Sequence, residues 1–162
     1  MTNKDWPARV AAVWDESDEI GDNILLERID ALVAERPDTD AEAAFEAASV
    51  RDSVGMETDA AVWYQKALDL GLDGDNRSRT FIQYASTLRN LGRYDEALEL
   101  LGRLEPENEL ADAAAATRAL VLVSMGRAVE GAGIAIAALA PHLPRYQRSM
   151  ANYAKELIEG AE

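Results

Sequence analysis

From Arg77 to Pro106 the apolar side chains return every three or four residues. Phe81, Tyr84, Ala85, Leu88 and Leu91 make one stripe, and after Gly92 the steps resume at Tyr94, Ala97, Leu98, Leu101 and Leu104. Such steps gather side chains on one face of an α-helix, whereas a strand would need alternation. The segment predicts two amphipathic helices meeting at Gly92, the second stopped by Pro106. Glycine at such a junction supplies the positive-φ residue that closes the first helix.

The pattern recurs along the chain. Gly55 precedes Gly92 by 37 residues and Gly126 follows it by 34, each between helix-periodic segments. Ahead of them Trp6, Val10, Val13 and Trp14 read as one helix, and Leu25, Ile29, Leu32 and Val33 as the next, ended by Pro37. At the far end Tyr146, Met150, Tyr153 and Leu157 predict a helix that covers the open face of the last pair. The expectation is one all-α domain over 1–162: a worn helix pair at 5–37, pairs at 39–72, 76–106 and 109–141, and a capping helix at 144–160.

The run Gly92-Arg93-Tyr94-Asp95-Glu96-Ala97 resembles the turn of a tetratricopeptide repeat. In that family a small residue on the second helix lets it pack closely on the first, which the resemblance assigns to Ala97. Ala60, Tyr64 and Ala67 likewise fall where the family puts small, aromatic and small residues. The stretch Gln83-Tyr84-Ala85-Ser86-Thr87-Leu88-Arg89-Asn90-Leu91-Gly92-Arg93 is similar to short stand-alone bacterial members. The chain departs from the family at its tryptophan position, held here by Ala44, Phe81 and Ala115. Gly131 stands where the packed alanine is expected in the later pair. The resemblance implies a right-handed superhelix of antiparallel helix pairs that works as a protein-binding scaffold.

Charge narrows the partner. The 162 residues carry a formal net charge of -14. A general nucleic-acid ligand needs a basic footprint, and an anionic membrane surface is disfavoured for the same reason. Residues 1–60 hold 16 acidic and 5 basic side chains, so the amino-terminal third is the acidic end. There is no cysteine, which removes disulfides, thiolate catalysis and zinc–thiolate sites. The opening Met-Thr-Asn-Lys-Asp-Trp-Pro has no apolar signal core, so the expected compartment is the cytoplasm.

Catalytic and metal signals are thin. His142, the one histidine, has no serine or carboxylate partner nearby in sequence and reads as a loop or capping residue. Asp69, Asp73, Asp75 and Asn76 are rich in oxygen, but a calcium loop started at Asp73 would place Tyr84 where a glutamate is needed. Asp75 or Asn76 instead reads as the cap of the next helix. Gly131-Ala132-Gly133 lacks the preceding strand of a phosphate-binding loop and reads as small residues for close helix packing. Asp15-Glu16-Ser17-Asp18-Glu19 reads as a solvated turn or helix start. The expectation is no catalytic residue, no cofactor and no metal.

The informative stretch lies between Asp75 and Asp95, where acidic residues are absent and Arg77, Arg79, Arg89 and Arg93 occur. The resemblance implies that one face of each first helix lines a concave groove for extended peptides. Register assigns Arg79, Ile82, Ser86, Arg89 and Asn90 to it, with Gln83 nearby, Phe45, Ser49 and Asp52 from the pair before and Ala116, Leu120 and Val123 from the pair after. Arg89 and Asp52 hold equivalent places in neighbouring repeats, so pairing between them competes with a ligand role. The helix 111–125 is apolar nearly all round, which predicts burial by the terminal helix or a face for a partner. Two functions follow: a scaffold for an unidentified protein or peptide with an acidic segment, or a self-associating homodimer built through helix 111–125 or the terminal helix.

Overall fold

A computed structural model describes residues 5–160. Among these residues the chain is all-helical, with no strand: α1 (Trp6–Asp15), α2 (Asp22–Val33), α3 (Ala41–Ser53), α4 (Glu57–Asp69), α5 (Gly74–Asn90), α6 (Tyr94–Leu101), α7 (Ala111–Ser124), α8 (Ala128–Leu139) and α9 (Gln147–Glu159), with a 3-10 turn at Ala140–His142 before α9. Residue contacts divide the chain into two compact units at Arg77/Ser78, within α5.

The acidic unit comes first, with 19 acidic and 7 basic side chains up to Arg77. Pro7 starts α1 where its missing N–H costs nothing. Trp6, Val10 and Val13 of α1 meet Leu25, Ile29 and Leu32 of α2, with Ala43 and Val50 of α3, in one buried cluster. The Trp6 indole donates to the Leu32 carbonyl at 2.8 Å, so its ring is buried without leaving its N–H unpaired. Asp40 caps α3 by accepting from the Ala43 amide at 3.1 Å. On α4, Ala60, Tyr64 and Ala67 are fully buried, and α3 and α4 pack against each other. The Trp63 ring is flanked by Arg51 at 5.3 Å and Lys66 at 4.5 Å from its centroid, while Arg51 grips Asp30 with two bonds of 2.9 and 3.1 Å.

The predicted glycine closures are present. Gly55, Gly92 and Gly126 have φ of 77, 73 and 82°. After each, the next amide reaches back to the helix: Met56 to the Arg51 carbonyl, Arg93 to Leu88 and Arg127 to Leu122, each at 2.8 Å. These six-to-one bonds satisfy carbonyls that a helix end otherwise leaves exposed. Gly71 closes α4 in the same way, with φ of 85° and a Leu72 amide bonded to the Ala67 carbonyl.

In the second unit Ala97 of α6 is fully buried. Then α6 packs on α7, α7 on α8 and α8 on α9. Both glycines of α8 are buried and face different neighbours. A Cβ on Gly131 would lie 2.8 Å from the Ala119 carbonyl of α7, and one on Gly133 would lie 2.9 Å from the Ala154 carbonyl of α9. The small-residue run is thus a two-sided packing device that lets α8 approach both helices closely.

Three expectations change. Asp75 and Asn76 lie inside the first turn of α5, and the Asn76 side chain donates to Glu42 at 2.6 Å instead of capping its own helix. The terminal helix does not bury α7: it packs on α8, drawn there by Gly133. Its inward side is Ala154 with Met150, Leu157 and Ile158 half-buried, so Tyr146 and Tyr153 are exposed and do not form the expected packing stripe. Residues 1–4, where the signal-core reading began, lie outside the described residues.

Candidate functional site

The candidate positions separate by burial. Phe45 and Ser49 of α3 are only 1% and 9% exposed, so neither offers a side chain to a partner. The expectation for them was wrong because α3 is apolar on nearly every side: Ala43, Ala44, Ala47, Ala48 and Val50 are buried as well. Asp52 is half-buried and accepts from the Tyr64 hydroxyl at 3.2 Å. At the equivalent places further on, Ile82 and Ser86 are half-buried while Ala116, Leu120 and Val123 are exposed, Leu120 by 53% and Val123 by 51%.

Within the second unit these residues come together at the carboxyl ends of α5 and α7. The Arg89 guanidinium lies 3.5 Å from the Ser124 hydroxyl and 3.0 Å from the Asn90 side-chain oxygen. The Ser124 hydroxyl donates back to the Leu120 carbonyl at 3.0 Å, which holds it beside the apolar pair Leu120 and Val123. Nearer the start of the unit, Asn108 donates to Ser78 at 3.0 Å. Arg79 and Asn90 are exposed, and Gln83 and Arg89 are half-buried. Among the described residues no carboxylate pairs with Arg89, and its Nε is buried with no hydrogen-bond partner. The Gln83 side-chain oxygen is also buried with no donor. Buried polar atoms are nearly always bonded; besides these two on α5, the Ser49 hydroxyl of α3 is also buried without a partner.

Arg93, also in the basic stretch, is committed elsewhere. It forms bonds of 2.7 and 2.6 Å to Glu96, a pairing that raises its own pKa and lowers that of Glu96. The basic stretch therefore holds arginines in two different situations: Arg93, before α6, pairs with Glu96, whereas Arg89, on α5, bonds only Ser124 and Asn90 among the described residues.

The structure gives His142 a carboxylate that sequence distance concealed. Its Nε2 lies 2.8 Å from Asp112, 30 residues away, with both side chains well exposed. On the side of α7 away from Leu120, a cavity of about 390 Å³ is lined by Leu101, Leu104, Ala115, Arg118 and Ile134, with the carboxylates of Glu105 and Asp112 at its edge. Two carboxylates against one guanidinium leave that cavity without a favourable field for an anion. Among the described residues there is no group of three or more acidic or histidine side chains that could hold a metal ion. No helix among them is long and apolar enough to cross a membrane.

This architecture is that of helical-repeat interaction proteins: glycine-closed helix pairs, fully buried alanines on the second helices, and an exposed mixed face on α7. A family model described as the tetratrico peptide repeat matches residues 41–157, and the chain belongs to that family. Its members typically serve as non-catalytic scaffolds for protein partners. No curated protein and no solved structure matches the chain.

Proposed function

We propose that the chain is a scaffold that holds a peptide-like segment of a partner against α5 and α7, with a carboxylate of that segment at Arg89. The observation that carries this reading is Arg89 itself: a half-buried guanidinium without a carboxylate, next to the exposed Leu120 and Val123. Arginine offers a planar fork that takes a carboxylate with two hydrogen bonds. An apolar side chain two or three residues along the segment then rests on Ala116, Leu120 and Val123. Arg79 extends the cationic row, and Gln83, Ser86 and Asn90 offer polar contacts to an extended backbone.

The net charge of -14 does not forbid an acidic segment. In physiological salt the Debye length is about 8 Å, so a guanidinium at the surface acts mainly on groups that already touch it. A micromolar complex corresponds to only about -8 kcal/mol. Ordering a flexible peptide offsets part of the contact energy.

Selection of decapeptides from a random display library on the purified protein tests the reading. The expected ligands combine Asp or Glu with Leu, Ile, Val or Phe. The variant Arg79→Glu with Arg89→Glu should lose at least about tenfold in affinity for them, with a melting temperature within a few degrees of the parent. Selected peptides without acidic enrichment, or affinity unchanged in the variant, would remove this face from consideration.

A further inference from the structure

Two stretches of the chain have one sign of charge each. Residues 10–27 contain Asp15, Glu16, Asp18, Glu19, Asp22 and Glu27 and no lysine or arginine. Residues 131–155 contain Arg145, Arg148 and Lys155 with His142, and no aspartate or glutamate; α9 then ends with Glu156 and Glu159, so the excess positive charge lies at its Arg145–Arg148 end. Little of this charge is neutralised locally. Glu16 pairs with Arg28 at 2.6 Å, Lys155 meets Glu159 at 3.6 Å and His142 meets Asp112 at 2.8 Å. Among the described residues Asp15, Asp18, Glu19, Asp22 and Glu27 have no ion pair, and neither do Arg145 and Arg148.

Each stretch also displays exposed apolar surface on a helix. On α9, Arg148, Asn152 and Lys155 recur at steps of four and three along the outward side, flanked by Tyr153 and by Tyr146 just before the helix. Both tyrosines are more than half exposed. On α2, Ile24, Glu27 and Ala31 share the outward side, and Ile24 is also more than half exposed. The two helices have 13 and 12 residues, so both are roughly 18–20 Å long and match along their length.

We infer that the outward face of α9 docks on the α2 face of a second copy of the chain. Arg145 and Arg148 then meet Glu19, Asp22 and Glu27, and Tyr146 and Tyr153 cover Ile24 and Ala31. Tyrosine and arginine are the side chains enriched where protein interfaces carry their binding energy. The contact joins different patches on the two copies: repeated reciprocally about a two-fold axis it makes an isologous dimer, and used once per copy it is heterologous and makes a ring or an open series. Charge complementarity selects the second copy as occupant: this acidic chain supplies both the basic, tyrosine-bearing start of α9, at Arg145 to Arg148, and the acidic helix it fits. The contact is independent of the α5–α7 face.

Sedimentation equilibrium of the full chain across protein concentration, at about 20 mM and about 500 mM salt, reads the association. At low salt the mean mass should rise with concentration, and high salt should weaken the association about tenfold or more. Arg145→Glu with Arg148→Glu should be monomeric, and so should Glu19→Lys with Glu27→Lys. Mixed together, these two charge-reversed variants should associate again, because the swapped charges are once more complementary. All four positions are outside the buried core, and circular dichroism of each variant verifies its fold. A parent that stays monomeric at low salt overturns the inference, as does a mixture that fails to reassociate. Dissociation by Leu120→Glu, with the α9 variant still associating, would assign self-association to α7 instead. The variant Arg79→Glu with Arg89→Glu should associate like the parent, which separates this contact from peptide binding.

Discussion

A glycine inside a helix ordinarily invites replacement, because Gly→Ala adds about 0.5–1 kcal/mol of helix stability. Gly131 and Gly133 should behave in the opposite way. A Cβ at Gly131 would stand 2.8 Å from the Ala119 carbonyl, 3.3 Å from Val123 Cγ2 and 3.5 Å from Leu122 Cβ. Weak carbon–oxygen contacts lie at about 3.3–3.6 Å, so α7 and α8 must separate by about half an ångström. The first obstacle is backbone, which cannot rotate aside. At Gly133 the Cβ would meet the Ala154 carbonyl at 2.9 Å and Leu157 Cβ at 3.1 Å, besides Ile158 Cγ1 at 2.8 Å; of these only the isoleucine Cγ1 can move by side-chain rotation, and a β-branched side chain resists that. Overpacking costs about 1–3 kcal/mol, which exceeds the propensity gain. Each substitution should therefore destabilise by about 1–2 kcal/mol, lowering the melting temperature by about 2–8 °C for a chain of this size. The assay is thermal and urea denaturation followed by helical circular dichroism. Ala132→Gly, at an exposed position between the two, isolates the propensity effect and should cost about 1 kcal/mol or less. A rise in melting temperature for Gly131→Ala or Gly133→Ala would refute the close approach of α8 to its neighbours.

Other substitutions test the repeats themselves. Ala97→Leu adds bulk at a fully buried position and should destabilise by about 1–3 kcal/mol in urea denaturation. Gly92→Val has open space for its Cβ, so its cost, about 1–3 kcal/mol, should come from holding a β-branched residue at φ 73°; equal cost for Gly92→Ala and Gly92→Asn would speak against a conformational origin, since asparagine tolerates that region. Acid should also weaken the fold. Hydrogen bonds from Arg28, Arg9 and Arg93 hold Glu16, Glu35 and Glu96 below the usual 4.5. A carboxyl with a lowered folded-state pKa contributes stability above its unfolded value, lost as pH falls through the folded one. The urea midpoint should thus drop as pH falls below about 4.5, and less steeply when all three are glutamine. An identical acid profile in that triple variant would exclude these pairs as a cause.

The helices were legible because periodicity is local: Phe81-Tyr84-Ala85-Leu88 and Tyr94-Ala97-Leu98-Leu101 declare their faces without knowledge of the rest of the chain. The closures at Gly55, Gly92 and Gly126 were legible for the same reason, since positive φ singles out glycine. Burial of a face against other elements is not local. Ile82, Ser86, Phe45 and Ser49 share a register, yet the α3 pair is buried, and the visible cue was the unbroken alanine and valine content around α3. Tyr146 and Tyr153 suggested a packing stripe by their helical spacing with Met150 and Leu157, but α9 packs on α8 through Ala154, beside Gly133, and the tyrosines are exposed. The Asp112–His142 contact, spanning 30 residues, depends on how α7 meets the turn after α8, which no spacing rule contains.

The central proposal places a carboxylate-bearing segment on Arg89 with an apolar residue on Leu120 and Val123. Methyl-resolved NMR, with leucine, isoleucine and valine methyl groups labelled and a library-selected acidic decapeptide added stepwise, reports on that surface directly. The account predicts saturable shifts at Leu120, Val123 and Ile82 that vanish in the Arg79→Glu with Arg89→Glu variant. Shifts confined to other methyl groups, such as Ile24 on α2, with Leu120 and Val123 unmoved at saturation, would contradict it.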